Sequence, residues 1–163
     1  MKSVLILRHA KSSWKQPDLN DHDRPLNKRG KRDAQCMGEL LRNEHLIPES
    51  VIISAAIRAR DTAKAEVKAS GYKGKIALNR SLCTAGLEAY LKVLNGLSND
   101  SVRVLVVGHN PGVEELVLML TGETHPMSTC SLAHIKLHVE RWLDVDYETK
   151  GQLAGICRPR DLS

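Results

Sequence analysis

Val4-Leu5-Ile6-Leu7-Arg8-His9-Ala10 is the stretch that decides the fold of this chain. Four consecutive apolar residues suit a strand buried on both faces, and this strand ends on a guanidinium and an imidazole. Ligands in open α/β sheets gather outside the carboxyl ends of the strands, so Arg8 and His9 are aimed at one crevice. Far along the chain the arrangement recurs: Val104-Leu105-Val106-Val107 runs into Gly108-His109-Asn110-Pro111-Gly112. Two strand ends that each deliver a histidine are hard to explain by packing, and together they predict a site.

Around these two stretches strand alternates with helix, which predicts an α/β fold with a mostly parallel sheet. Strand one covers about residues 3–7, and a long polar loop through Asp23 lies over the site. Ala34, Met37, Leu40 and Leu41 fall at helical spacing and predict a helix from about Asn27 to Asn43. Val51-Ile52-Ile53 is strand two. It empties into Ser54-Ala55-Ala56-Ile57-Arg58, where a second helix starts and runs to about Ser70. Strand three is expected at 75–78, helix three at 86–96 and strand four at 102–107. Pro111 opens a further helix, where a first turn tolerates proline, and Gly122 ends it. Two last strands, near 132–139 and 152–157, extend the sheet at an edge. No repeat, low-complexity tract or linker divides residues 1–163, which predicts one domain.

With 42% apolar and 26% charged residues, the composition is that of a folded, water-soluble protein. The run at 4–7 is too short for a signal peptide, and no run approaches the ~20 residues of a membrane span. The cytoplasm is therefore the default location, and no membrane partner is expected. Cys36, Cys83, Cys130 and Cys157 form no CxxC or Cys/His cluster and read as reduced, mostly buried fillers. The net charge of +5 is uneven, with nine Lys or Arg against three Asp in residues 1–32. Such a bias attracts nucleic acid, an acidic protein or a phosphorylated substrate. Only 3% of residues are aromatic, so the stacking platforms of single-strand binders are scarce. Phosphate is the economical common denominator, and nucleic acid is not the expected partner.

Removing a phosphoryl group needs a nucleophile in line with phosphorus and positive groups on the equatorial oxygens. A neutral imidazole attacks well at neutral pH, and its phosphohistidine is labile enough to hydrolyse. His9 is the candidate nucleophile. Arg8, Arg58 and His109, each just beyond a predicted strand, are candidates for the phosphate pocket, with Arg24 and Asn110 as further contacts. This scheme calls for no metal and no cofactor. Arg58 also reads as a helix-start residue paired with Asp61 or Glu66, but arginine is disfavoured beside the positive end of a helix dipole unless an anion lies near. Arg60, two residues on, reads as surface. Arg24 is either a pocket residue or a loop cation bridged to Asp21 or Asp23, and Lys28 to Arg32 is a solvated helix face. Asn110 is a turn residue or an oxyanion contact, Trp14 caps the site or packs beneath it, and His134 and His138 face solvent or an edge.

Leu7-Arg8-His9-Ala10, Asp21-His22-Asp23-Arg24-Pro25-Leu26 with Gly30, Ser54-Ala55-Ala56-Ile57-Arg58-Ala59 followed by Thr62, and Gly108-His109-Asn110-Pro111 stand in a telling order. They resemble, in sequence, the motifs of the histidine phosphatase superfamily, and within it the short branch of SixA-type phosphohistidine phosphatases. The resemblance covers nearly the whole chain. It implies a three-layer, phosphoglycerate-mutase-like sandwich, with a central, mostly parallel sheet flanked by helices and no large helical insertion. It also implies that His9 is the phosphorylated nucleophile, that Arg8, Arg58 and His109 form the pocket, and that Arg24 lies near its mouth.

Two departures matter. Ala10 replaces the usual glycine, a tolerable change that tightens the backbone beside the nucleophile. Larger members of the family carry a catalytic glutamate in an insertion after strand three, and here only about seven residues separate that strand from helix three. The general acid is open between Asp21 and Glu88. A phosphorus–nitrogen bond needs less help, because its leaving imidazole can be protonated before departure. The expected protein is a monomeric, metal-independent phosphatase working through His9 on a protein phosphohistidine. A phosphatase of small esters or anhydrides is the alternative, followed by a non-catalytic phospho-ligand binding module.

Overall fold

In the computed structural model, residues 1–84 and 86–162 are described; Ala85 and Ser163 lie outside the described residues. Among the described residues six strands form one sheet: β1 (Lys2–Arg8), β2 (Ser50–Ser54), β3 (Ile76–Asn79), β4 (Arg103–Gly108), β5 (Leu132–Leu137) and β6 (Gln152–Cys157). Their order is β3-β2-β4-β1-β5-β6. The pairs β1–β4, β2–β4 and β2–β3 are parallel, whereas β5 runs antiparallel to both β1 and β6.

Alternate residues of each inner strand feed two separate cores, one on each face. Val4 and Ile6 cluster with Leu91, Leu94, Leu116 and Leu120, which belong to α3 (Leu87–Asn95) and α4 (Gly112–Thr121). Leu5 and Leu7 cluster with Ala34, Met37 and Leu41 of α1 (Lys28–Asn43) and with Ala59 and Ala63 of α2 (Ile57–Ser70). Burial on both faces is why β1 reads as a continuous apolar run rather than an alternating one. The result is the expected three-layer sandwich. Between β3 and α3 the described chain makes a short 3-10 turn, Arg80–Cys83, and no large helical insertion.

The helix starts follow local chemistry. Asn27 caps α1 by accepting the Gly30 N–H at 2.8 Å, which satisfies one of the orphan donors of a first helical turn. Gly122 ends α4 in the left-handed conformation, as expected of a glycine stop. No described helix is long and apolar enough to cross a membrane.

The last two strands extend the sheet at an edge as expected, β5 beside β1 and β6 outermost. Two other expectations are corrected. His134, between Leu5 of β1 and Gly155 of β6, is consequently half-buried rather than solvent-facing. Burial lowers its pKa, helped by Arg103 and Lys136. The four cysteines are free, but only Cys130 is fully buried. Cys83 and Cys157 end their elements, where no second layer covers them completely.

Candidate active site

β1 and β4 are neighbours with Arg8 in register with Gly108, so the residues that follow, His9 and His109, stand side by side. Their ring centroids are 5.0 Å apart, and the His9 N–H donates to the Gly108 carbonyl at 3.0 Å. On the other side of β4, β2 ends at Ser54 and α2 then supplies Arg58. Three adjacent parallel strand ends thus meet at one cavity of about 300 Å³. Arg8, His9, Arg24, Arg58, His109 and Asn110 all line it. Trp14 completes the wall together with Lys11, Ser12 and Thr129, three residues to which the sequence assigned no role.

His9 Nδ1 donates to the Ala10 carbonyl at 2.8 Å. A carbonyl only accepts, so Nδ1 carries the proton and Nε2 keeps its lone pair. Burial pushes the His9 pKa down to about 3; Ala10 O pulls the other way, and His109, Arg58 and Arg8 add to the depression. The ring is therefore neutral at physiological pH. His109 is lowered to about 4, again by burial first and then by Arg58, with Asp21 opposing. Its Nε2 lies 2.6 Å from Ser54 Oγ. That hydroxyl already accepts the Ala56 N–H at 3.2 Å. The same hydroxyl stands 3.2 Å from Cys83 Sγ. The other ring nitrogen of His109, Nδ1, is buried without a partner among the described residues.

Two of the cations are held by one carboxylate, that of Asp21. Arg58 donates from Nη1 to the Asp21 carbonyl and from Nη2 to Asp21 Oδ2, the latter at 2.8 Å. Arg24 donates from Nη1 to Asp21 Oδ1 at 2.8 Å and from Nη2 to Ser12 Oγ, and its Cζ lies 3.2 Å over the Trp14 ring. Asp21 therefore bridges two arginines, and the partner of Arg58 is neither Asp61 nor Glu66. Slight burial favours a neutral Asp21, but Arg58 and Arg24 outweigh it and hold the carboxyl below the usual range. Arg24 is both bridged to Asp21 and part of the cavity wall, and Trp14, 69% exposed, covers it at the mouth. Arg8 Nη1 donates to the Met127 carbonyl at 3.0 Å, and its Nε is buried without a partner among the described residues. Glu88 is exposed in the first turn of α3 and does not line the cavity. Of the two acid candidates, only Asp21 is tied to the pocket.

Several residues position this set from beneath. Ala10 is fully buried with Leu26 and Ala59, so its methyl is packed rather than strained. Its N–H donates to Thr62 Oγ1 at 2.9 Å, and the Thr62 hydroxyl donates to the Arg58 carbonyl at 2.7 Å. Tyr90 of α3 is buried, and its hydroxyl accepts the His109 N–H at 3.0 Å and donates to the His109 carbonyl at 3.3 Å. A Cβ at Gly108 or Gly112 would overlap the Tyr90 ring. Two glycines bracketing His109 were the available sign that a bulky neighbour comes close. Asn110 Nδ2 donates to Glu114 Oε1 at 3.0 Å and to the Met127 carbonyl at 2.9 Å, so it steadies the same carbonyl that anchors Arg8. The first turn of α4 adds little positive charge to the pocket, because Val113 N–H is taken by the His109 carbonyl and Glu114 and Glu115 stand there.

A family model of the histidine phosphatase superfamily, branch 1, matches residues 4–82. An uncharacterised chloroplastic protein of Arabidopsis thaliana is 30% identical over 150 residues, which cover 86% of this chain and 69% of that one. Phosphohistidine phosphatase SixA of Escherichia coli K12 is 31% identical over 134 residues, 78% of this chain and 80% of that one. The solved structure of a protein histidine phosphatase SixA complexed with tungstate superposes with a TM-score of 0.84 at 25% identity, over 99% of both chains. Likeness in sequence and in fold extends well beyond the N-terminal motif, and this chain belongs to the histidine phosphatase superfamily and, within it, to the SixA-type branch.

Proposed function

We propose that this protein is a metal-independent phosphatase that works through a phosphohistidine intermediate on His9 and takes a protein phosphohistidine as substrate. The observation that carries this is the state of His9: neutral, with Nδ1 committed to the Ala10 carbonyl and Nε2 free beside Arg8, Arg58 and His109. A related SixA protein solved with tungstate, a tetrahedral oxyanion, supports an oxyanion pocket in this branch.

In the proposed reaction the Nε2 lone pair of His9 attacks phosphorus, and the bond from phosphorus to the substrate imidazole breaks. The bonding pair leaves with that imidazole, whose other nitrogen or departing nitrogen is protonated. In this scheme Arg8, Arg58 and His109, with its proton placed on the unpartnered Nδ1, neutralise the charge on the equatorial oxygens. Water then attacks the phosphohistidine, phosphate departs, and His9 recovers its lone pair. A bound phosphoryl group shares Arg24 and Arg58 with Asp21, and the two anions repel. That repulsion raises the Asp21 carboxyl from its depressed position and lets it take up a proton, which makes Asp21 the favoured acid for leaving groups poorer than imidazole.

The test is phosphate release from a phosphohistidine peptide in EDTA, with His9→Ala and a phosphoserine peptide as references. Release that requires His9 and spares phosphoserine is the expected result. Turnover surviving in His9→Ala removes the nucleophile, and equal release from phosphoserine removes the substrate assignment.

A further inference from the structure

We infer that the cavity next to the catalytic one is a second anion subsite, built from Arg60, Arg80 and His22, that takes a carboxylate of the protein carrying the phosphoryl group. The inference rests on the phosphohistidine phosphatase reading. This cavity, of about 450 Å³, is lined by His22, Arg60, Leu78, Arg80 and Cys83 among others. It shares a wall with the catalytic cavity, because Cys83 Sγ is 3.2 Å from Ser54 Oγ, which in turn lies 2.6 Å from His109 Nε2. The same two segments serve both. The loop gives Asp21 to the arginines of the catalytic pocket and His22 to the second cavity, and α2 gives Arg58 to the first and Arg60 to the second.

Arg60 and Arg80 are exposed, and among the described residues neither guanidinium has an ion-pair or hydrogen-bond partner. Two guanidinium groups facing one cavity repel each other, and nothing in the packing requires them there; a carboxylate relieves the repulsion and fits the guanidinium fork. Leu78, 52% exposed, lines the same cavity. An apolar side chain beside two cations suits a peptide segment with an acidic residue better than a bare inorganic anion. A chain that delivers its phosphohistidine to His9 is then held a short distance away by its own Asp or Glu.

The test compares kcat/KM for two phosphohistidine peptides, one flanked by glutamates and one by glutamines, on the wild type and on Arg60→Gln/Arg80→Gln. Two solvent-exposed ion pairs give the wild type a roughly three- to tenfold preference for the acidic peptide. The preference sits in KM, shrinks in about 0.5 M salt and disappears in the double variant. Equal rates for both peptides on the wild type, or a preference that persists in the double variant, overturn the subsite. Release from neither peptide by an enzyme that still turns over an aryl phosphate overturns the phosphohistidine reading instead, and the protein carboxylate with it.

Discussion

Removing the hydroxyl of Tyr90 tests whether the histidine at the end of β4 is held from behind. In Tyr90→Phe the ring stays in the space that Gly108 and Gly112 leave for it, so no sizeable cavity opens. What is lost is both hydrogen bonds to the His109 backbone. The carbonyl keeps its bond from Val113 N–H at 2.9 Å, and the orphan is the buried N–H. Leaving such a donor without an acceptor costs about 1–3 kcal/mol, which for a chain of this length is a fall in Tm of roughly 2–12 °C. Thermal and urea unfolding read the stability, and phosphate release well below Tm reads the site, where a displaced His109 lowers kcat/KM by roughly three- to tenfold. An unchanged Tm means that the N–H finds another acceptor and refutes the stability argument. A lowered Tm with unchanged kcat/KM refutes the positioning role.

The low pKa values of the two site histidines predict a rate that stays level as pH falls from about 7.5 to 5, since His9 protonates only near 3; an acid limb near 6.5, once spontaneous hydrolysis is subtracted, contradicts it. Stability behaves differently. Below the ordinary histidine value of 6.5 the unfolded chain binds protons that native His9 and His109 refuse, so the folded state loses stability as pH falls from 6.5 toward 4. Glu66 works in the opposite sense: it is fully buried, and burial outweighs the opposing Ser70 hydroxyl and raises its pKa from 4.5 to about 7. Stability present below 4.5 is lost as pH rises through 7, and Glu66→Gln, followed by urea unfolding, gains on the wild type between pH 5 and pH 8 by roughly 1–3 kcal/mol; a constant difference across that range rejects the assignment. Asp21→Asn removes the anion shared by Arg24 and Arg58, so phosphate inhibition tightens severalfold, while turnover of alkyl phosphates falls more than turnover of phosphohistidine; parallel losses on both substrates argue against Asp21 as the acid.

What could be read from the chain was whatever its local pattern encodes. Val4 to Leu7 announced a doubly buried strand because both faces are covered, and Asn27 and Gly122 marked the ends of helices that the structure places within a residue or two. Arg8, His9 and His109 stood out because they end or directly follow a strand, and Arg58 because it opens the helix after one. The sheet order was not, since nothing local says that β4 inserts between β1 and β2, although that insertion is what sets His9 against His109. For the same reason the support given by Tyr90, Ser54 and Thr62 was hidden: each bonds to a residue on another element or another turn, and a lone Tyr or Thr on a helix has many duller explanations. The partial alternation of β5 was consistent with an outer strand, and only its pairing with β6 explains why His134 is half-buried.

The electrostatic layout of the pocket accounts for why a site so rich in arginine is stable when empty. Arg8 and Arg58 each depress the other's neighbours, lowering both histidines, and left alone they would repel. Glu114 raises the Arg8 pKa against its burial, and Asp21 joins Arg24 to Arg58 at 2.8 Å each. The two carboxylates differ in kind. Glu114 is also bonded to Asn110 and to the Met127 N–H and is built into the loop that anchors Arg8. Asp21 is two-thirds exposed and sits in a short 3-10 turn, so it can yield its arginines at small cost, because exposed pairs contribute only about 0.2–1 kcal/mol each. An incoming phosphoryl dianion, more highly charged and better matched to two guanidinium forks, competes with Asp21 for Arg58 and Arg24 while leaving the Glu114 anchor intact. In the proposed reaction the counter-ion that keeps the empty pocket together is thereby the group that substrate binding pushes toward protonation, and the pocket needs no inserted glutamate to find an acid.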